Sequence, residues 1–140
     1  MSVSFFENYS NDDDRNINRV ICDLVMKELE FAETKYPSIN SAWEGYAILK
    51  EEVEETNEEF IIVKEMLERL WKEIRAKSDS NTDTDASHSN TAFISLFNKQ
   101  EIILNKMTLH VYFTIKELIQ VMAMVMRYKK NVLKNMEGTT

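Results

Sequence analysis

Apolar residues recur at helical spacing through most of this chain. Ile17, Ile21, Leu24, Val25, Phe31 and Ala32 fall three or four positions apart, with Glu28 in the same series, behind a polar run, Asn11 to Asp14, that suits a helix cap. This predicts a first helix from about Asp14 to Lys35. Tyr36-Pro37-Ser38 ends it, because the residue before a proline is pushed out of the α region, and Asn40 or Ser41 can cap the next start. From a start near Ser41, Tyr46, Leu49, Val53 and Phe60 lie along one stripe, and Val63, Met66, Leu67, Leu70, Trp71 and Ile74 continue the period. No glycine or proline interrupts Tyr46 to Lys77, so the pattern fits one long helix or two joined by a bend around Asn57 to Phe60. At about 77–91 the composition changes to Ser, Asp, Asn and Thr without a large apolar residue, which predicts a flexible polar loop. Phe93, Leu96, Phe97, Gln100, Leu104 and Met107 then predict another helix, leading by a turn or kink near Thr108 into a last one that runs to about Leu133. Val111 to Met126 is apolar almost all round, as expected of a helix enclosed by neighbours. The tail from about 135 is expected to fray.

Composition narrows the class. The 140 residues suffice for one domain with a core of its own, so a single domain over 1–140 is expected. Two Gly and one Pro leave little material for the turns of an all-β fold, and the expectation is an all-α, four- to five-helix, bundle-like architecture. A net charge of -7 argues against nucleic acid as the main partner, since binding its backbone needs clustered Lys and Arg. Nucleotides remain open to an acidic protein if metal ions screen their phosphates. Cys22, the only cysteine, excludes an intrachain disulfide and reads as core filler. Met1 to Ser10 has neither the basic nor the apolar region of a secretory signal. Val111 to Met126, interrupted by Lys116, Glu117 and Gln120, falls short of the ~20 apolar residues of a membrane span. A cytoplasmic protein with no membrane partner is therefore expected.

The candidate chemistry lies in two acidic signatures. At about 100° per residue, Glu51, Glu52, Glu55 and Glu59 fall within roughly a third of a turn beside the apolar stripe of the second helix. Like charges at i,i+4 repel unless a cation or solvent relieves them. Magnesium, or manganese in its place, suits such oxygen ligands and leaves coordination positions for phosphates. Zinc is not expected, because His88 and His110 are isolated and Cys22 stands alone. On the last helix Glu117, Gln120, Met124 and Arg127 share a face, and a carboxylate within an apolar helix is costly unless it is paired or bound to metal. Lys50, Lys116 and Arg127 are candidates either for that pairing or for contact with phosphates. Gly45 is unusual within a helix and makes room for a base or sugar, or for close helix packing. Trp43, Tyr46 and Trp71 have core, interface and base-stacking readings; Tyr46 is assigned to the core and Trp43 kept among the substrate contacts.

The two segments together resemble the MazG-like superfamily of all-α nucleoside triphosphate pyrophosphohydrolases, marked by E-E-x-x-E on one helix and E-x-x-D on a later one. Glu51, Glu52 and Glu55 match the first motif, and Glu117 matches the second, with Gln120 where aspartate is usual. Glu44-Gly45-Tyr46-Ala47, Gln120 to Met124 and Arg127 look like a phage-type branch in which glutamine takes that place. The resemblance implies magnesium-dependent hydrolysis of a (d)NTP between the α and β phosphates, by a dimer or tetramer. It implies Glu52, Glu55, Glu117 and Gln120 as metal ligands and Glu51 as the group that orients or deprotonates the attacking water. A non-catalytic or weakly active helical dimer of the same fold, binding a nucleotide or a protein, is the competing expectation.

Overall fold

The computed structural model describes residues 15–80 and 86–134, which form three α-helices and a closing π turn, with no strand among them. Helix α1 spans Arg15–Lys35, α2 Ala42–Ser80 and α3 Ala86–Tyr128, and the π-helical turn Lys129–Leu133 continues α3. The all-α class is as the scarcity of glycine and proline suggested, but the described helices number three rather than four or five. Helix α2 is unbroken at Asn57 to Phe60 and α3 at Thr108, so no turn separates two helices at either place. No glycine or proline lies in either segment, and the Thr108 hydroxyl donates to the Leu104 carbonyl (2.9 Å), which satisfies it within the helix. The helices also extend into the expected 77–91 loop, since 77–80 belong to α2 and 86–91 to α3. Residues 81–85, the run Asn11 to Asp14 and the tail from 135 lie outside the described residues.

The connector after α1 follows the sequence signals closely. Tyr36 N–H closes the last turn of α1 on the Ala32 carbonyl (2.9 Å), and Pro37 prevents its continuation. Ser41 caps α2, its Oγ accepting from the N–H of Glu44 (3.1 Å), while Glu44 Oε2 accepts from the N–H of Asn40 (3.0 Å). This is the reciprocal logic of a capping box, with the second bond placed one residue upstream.

The chain divides into two compact units, one formed by residues up to Glu55 together with those from Lys116 on, the other by Thr56–Ile115. In the first, Val25, Leu29 and Ala32 of α1 pack with Ala123 and Met124 of α3, and Ile48, Leu49, Ile119 and Met122 close around them. In the second, Met66 and Ile103 are buried, and His110 Nδ1 lies 2.7 Å from Glu59 Oε2. His110 is thus engaged in a side-chain pair, and Glu59 is spent there rather than with the other α2 carboxylates.

Two expectations about burial are corrected. Tyr46 is 62% exposed rather than part of the core, and only Ile48 and Leu49 of its neighbourhood reach the apolar cluster. The Val111 to Met126 stretch is covered on one side only, with Tyr112, Ile115 and Leu118 exposed. A helix packed against neighbours along one stripe leaves its opposite face in solvent whatever its composition. Cys22 is half-buried. By length and composition alone, Phe97–Leu133 is also long and apolar enough to cross a membrane.

Gly45 is explained by packing. A Cβ placed there would run into the ring of Tyr128, at the end of α3, and would touch Ile39. Gly45→Ala is expected to destabilise the protein by about 1 kcal/mol, because an overpacking cost of ~1–3 kcal/mol outweighs the ~0.5–1 kcal/mol gained by removing a helical glycine. Thermal unfolding checks this; a Tyr128→Ala background should abolish the penalty.

Candidate metal centre

The apolar cluster of the first unit places acidic side chains at its edge. Glu52 follows Ile48 by one turn of α2, so it sits on the flank of the core-facing stripe and is half-buried, while Glu55, a further turn on, is exposed. Gln120 precedes Ala123 and Met124 of the cluster by three and four positions, and Glu117 precedes Gln120 by three, which puts both on the α3 face turned to the same place. One carboxylate oxygen from each of Glu52, Glu55 and Glu117 lies within 4.8 Å of the others. An octahedral magnesium with ligands at about 2.1 Å holds its oxygens roughly 3.0 Å apart when adjacent and about 4.2 Å apart when opposite, so the three oxygens would have to draw closer to share one ion.

Gln120 touches two of the three. Turned so that its nitrogen faces the carboxylates, its Nε2 donates to Glu117 Oε2 (3.0 Å) and Glu52 Oε2 (3.1 Å). The opposite orientation aims the amide oxygen at two other acceptors, which is unfavourable without a cation and favourable with one. A half-turn of one terminal amide therefore decides whether the carboxylates meet a donor nitrogen or an acceptor oxygen.

The electrostatics reflect the crowding. The Glu52 carboxyl is raised from its ordinary value of 4.5 to about 7, first by burial and then by the negative charges of Glu55, Glu117, Glu51 and Glu28. Glu28 of α1 belongs to this group, although no motif points to it. Its signal in the sequence is its position within the apolar series of α1, between Val25 and Ala32.

All of these residues except Glu117 line a cleft of about 590 Å³. Its lining includes the carboxylates of Glu28, Glu44, Glu51, Glu52 and Glu55 and the amide of Gln120, together with Phe31, Lys35, Tyr36 and Arg127. Arg127 is buried; its Nη2 donates to the Pro37 carbonyl and its guanidinium lies over the Tyr36 ring at 6.0 Å, so it holds the connector between α1 and α2 against α3. Lys35 Nζ stands 5.3 Å from the ring centroids of both Phe31 and Tyr36. Of the four expected substrate contacts only Arg127 lines this cleft. Lys50 pairs with Glu54 (3.0 Å), Lys116 is exposed on α3, and Trp43 is 84% exposed. Lys35 carries no signal of this place in the sequence, where it marks only the end of a helix.

No protein family, curated protein or solved structure matches the chain.

A proton held by Glu52 in the folded state but lost from the unfolded chain makes stability fall as pH rises from 4.5 to about 7. Glu52→Gln, which cannot ionise, should gain stability relative to the wild type across that window and hold a constant difference above it. Metal-free denaturant melts at a series of pH values check this; a difference that does not vary with pH contradicts it.

Proposed function

We propose that the chain is a magnesium-dependent nucleoside triphosphate pyrophosphohydrolase, cleaving a (d)NTP between its α and β phosphates to a monophosphate and pyrophosphate. The observation that carries this reading is the approach of Glu52, Glu55 and Glu117 oxygens to within 4.8 Å of one another, with Glu52 and Glu55 also lining a cleft of about 590 Å³. That volume is in the range of small-molecule sites. The reaction type comes from the resemblance to MazG-like proteins, and the residues that converge are those the resemblance names.

When bound, magnesium or manganese neutralises phosphate charge and polarises the reacting phosphorus. Glu52, Glu55 and Glu117 would hold it, with Gln120 adding a neutral oxygen. Glu51, exposed and adjacent to Glu52, accepts the proton of the attacking water as its oxygen bonds to phosphorus and the anhydride bond breaks. Lys35 and Arg127 offset the charge of the phosphates distant from the metal.

The reading extends to a homodimer or homotetramer in the cytoplasm, without nucleic acid or membrane partners. What supports self-association is the apolar surface of the second unit, where Leu67, Trp71, Ile102 and Leu109 are exposed although a pair of helices cannot bury more than one stripe of each. Gln120 favours a second reading, a nucleotide-binding module with weak turnover, because a neutral amide in place of aspartate removes one charge from the cage.

Pyrophosphate release should appear with Mg2+ or Mn2+ across a panel of standard and modified (d)NTPs. Glu52→Gln, Glu55→Gln and Glu117→Gln should each lower kcat/KM roughly 100-fold or more, equivalent to about 2.7 kcal/mol of transition-state stabilisation. Binding without release supports the second reading, and neither binding nor release defeats both. Light scattering on the eluted protein should give a mass of two or four 16.5 kDa chains; a single-chain mass rejects the oligomer.

A further inference from the structure

The second unit, Thr56–Ile115, is a pair of helices with little core of its own: among the described residues, Met66 of α2 and Ile103 of α3 are its buried apolar side chains. Residues 81–85 alone separate α2 from α3, too short a link to span α2, so the two helices run antiparallel. Glu59 and Met66 face α3, and Ile103 and His110 face α2, as the burial of Met66 and Ile103 and the 2.7 Å contact between Glu59 and His110 show. The next residue along a helix is turned by about 100°, and in an antiparallel pair that turn leads to the same side of both helices. Phe60 and Leu67 of α2 and Leu104 and Val111 of α3 therefore share one face of the hairpin, joined by Ile74 and Phe97 one heptad further out. All six are 39–60% exposed. On the opposite face α2 presents the exposed carboxylates of Glu58 and Glu65 beside Ile102 and Leu109 of α3, so that face is charged on its α2 side.

Spacing and charge select the occupant of the apolar face. Phe60, Leu67 and Ile74 repeat every seven residues, as do Phe97, Leu104 and Val111, the period of helices that pack in a bundle with partners of the same period. A second copy of the chain offers that period over the same length. These side chains leave on the order of 500 Å² of apolar surface, which with flanking residues approaches the ~800 Å² per partner of a standard interface. The rims of the two rows differ in sign. Lys64, over the Phe60 ring at 4.9 Å, and Arg75, over the Trp71 ring at 5.9 Å, edge the α2 row, while Glu101 edges the α3 row. Laying α2 over the α2 of a second copy sets cation beside cation, whereas laying it over α3 sets the cations beside a carboxylate.

We propose that this face joins two copies of the chain about a two-fold axis parallel to the helices, forming a four-helix bundle in which α2 of each copy lies over α3 of the other and Lys64 stands beside the partner's Glu101. This rests on the self-associating part of the proposed function and is independent of its catalysis.

The test is sedimentation velocity of the full chain over a concentration series. Wild-type protein should sediment as two 16.5 kDa chains or a multiple of two. Leu67→Asp and Leu104→Asp, which put a carboxylate into each apolar row, should weaken association at least tenfold, while Ile102→Asp, on the opposite face, should leave the dimer intact. Lys64→Glu should weaken association several-fold, and adding Glu101→Lys should restore it. That recovery separates a lost contact from a lost fold, so where an aspartate variant fails to fold the charge pair decides. Association unaffected by Leu67→Asp and Leu104→Asp overturns this inference alone, as does dissociation by Ile102→Asp only. A double variant as weak as Lys64→Glu overturns the laying of α2 over α3. A single-chain mass for the wild type at every concentration leaves the face to a different partner and overturns the proposal together with the oligomer.

Discussion

Everything at the candidate site depends on one packing contact, the meeting of Val25, Leu29 and Ala32 with Ala123 and Met124. Ala32 and Ala123 are small and almost wholly buried, so the backbones of α1 and α3 approach closely there. Residues one turn away on either helix are then held at the margin of the apolar cluster, where solvent is reduced but not excluded. Glu28, Glu117 and Gln120 occupy those margins, and Ile48 and Leu49 bring Glu52 to the same margin from α2. Apolar burial thus supplies the free energy that keeps mutually repelling carboxylates together.

The repulsion is moderated in more than one way. Gln120 bridges Glu52 and Glu117 through its amide nitrogen, and a proton retained by Glu52 near neutral pH removes a charge. Both devices are displaceable. A cation bound there would reverse the preferred amide orientation and expel the proton, which would link its binding to pH.

Arg127 shows how the cleft wall itself is made. The guanidinium binds the Pro37 carbonyl and faces Tyr36, which sets the path of the short connector and hence the position of Phe31 and Lys35 on its approach. At the same end of α3, the Tyr128 ring fills the space left by Gly45. A glycine that looked like room for a ligand is room for the protein's own side chain.

Local signals were readable in the chain alone: Pro37 as a stop, Ser41 as a cap, the absence of helix breakers across α2 and α3, and the spacing that puts Glu52 and Glu55 on one face. These depend on neighbours within a turn or two, where backbone geometry leaves few choices. Helix continuity through Thr108 is not legible in the sequence, because a threonine satisfied by its own helix looks the same there as one that ends it. The exposure of Tyr46 and of one side of Val111 to Met126 is not legible either, because periodicity says which residues share a face, not whether another element covers it. The sequence by itself determined helices and the acidic stripe of α2. Only the tertiary structure decided that Glu117 meets that stripe, that Glu28 lines the cleft beside it and that Lys50 and Trp43 lie outside the cleft, because each is a relation between helices separated in the chain and joined through side-chain packing.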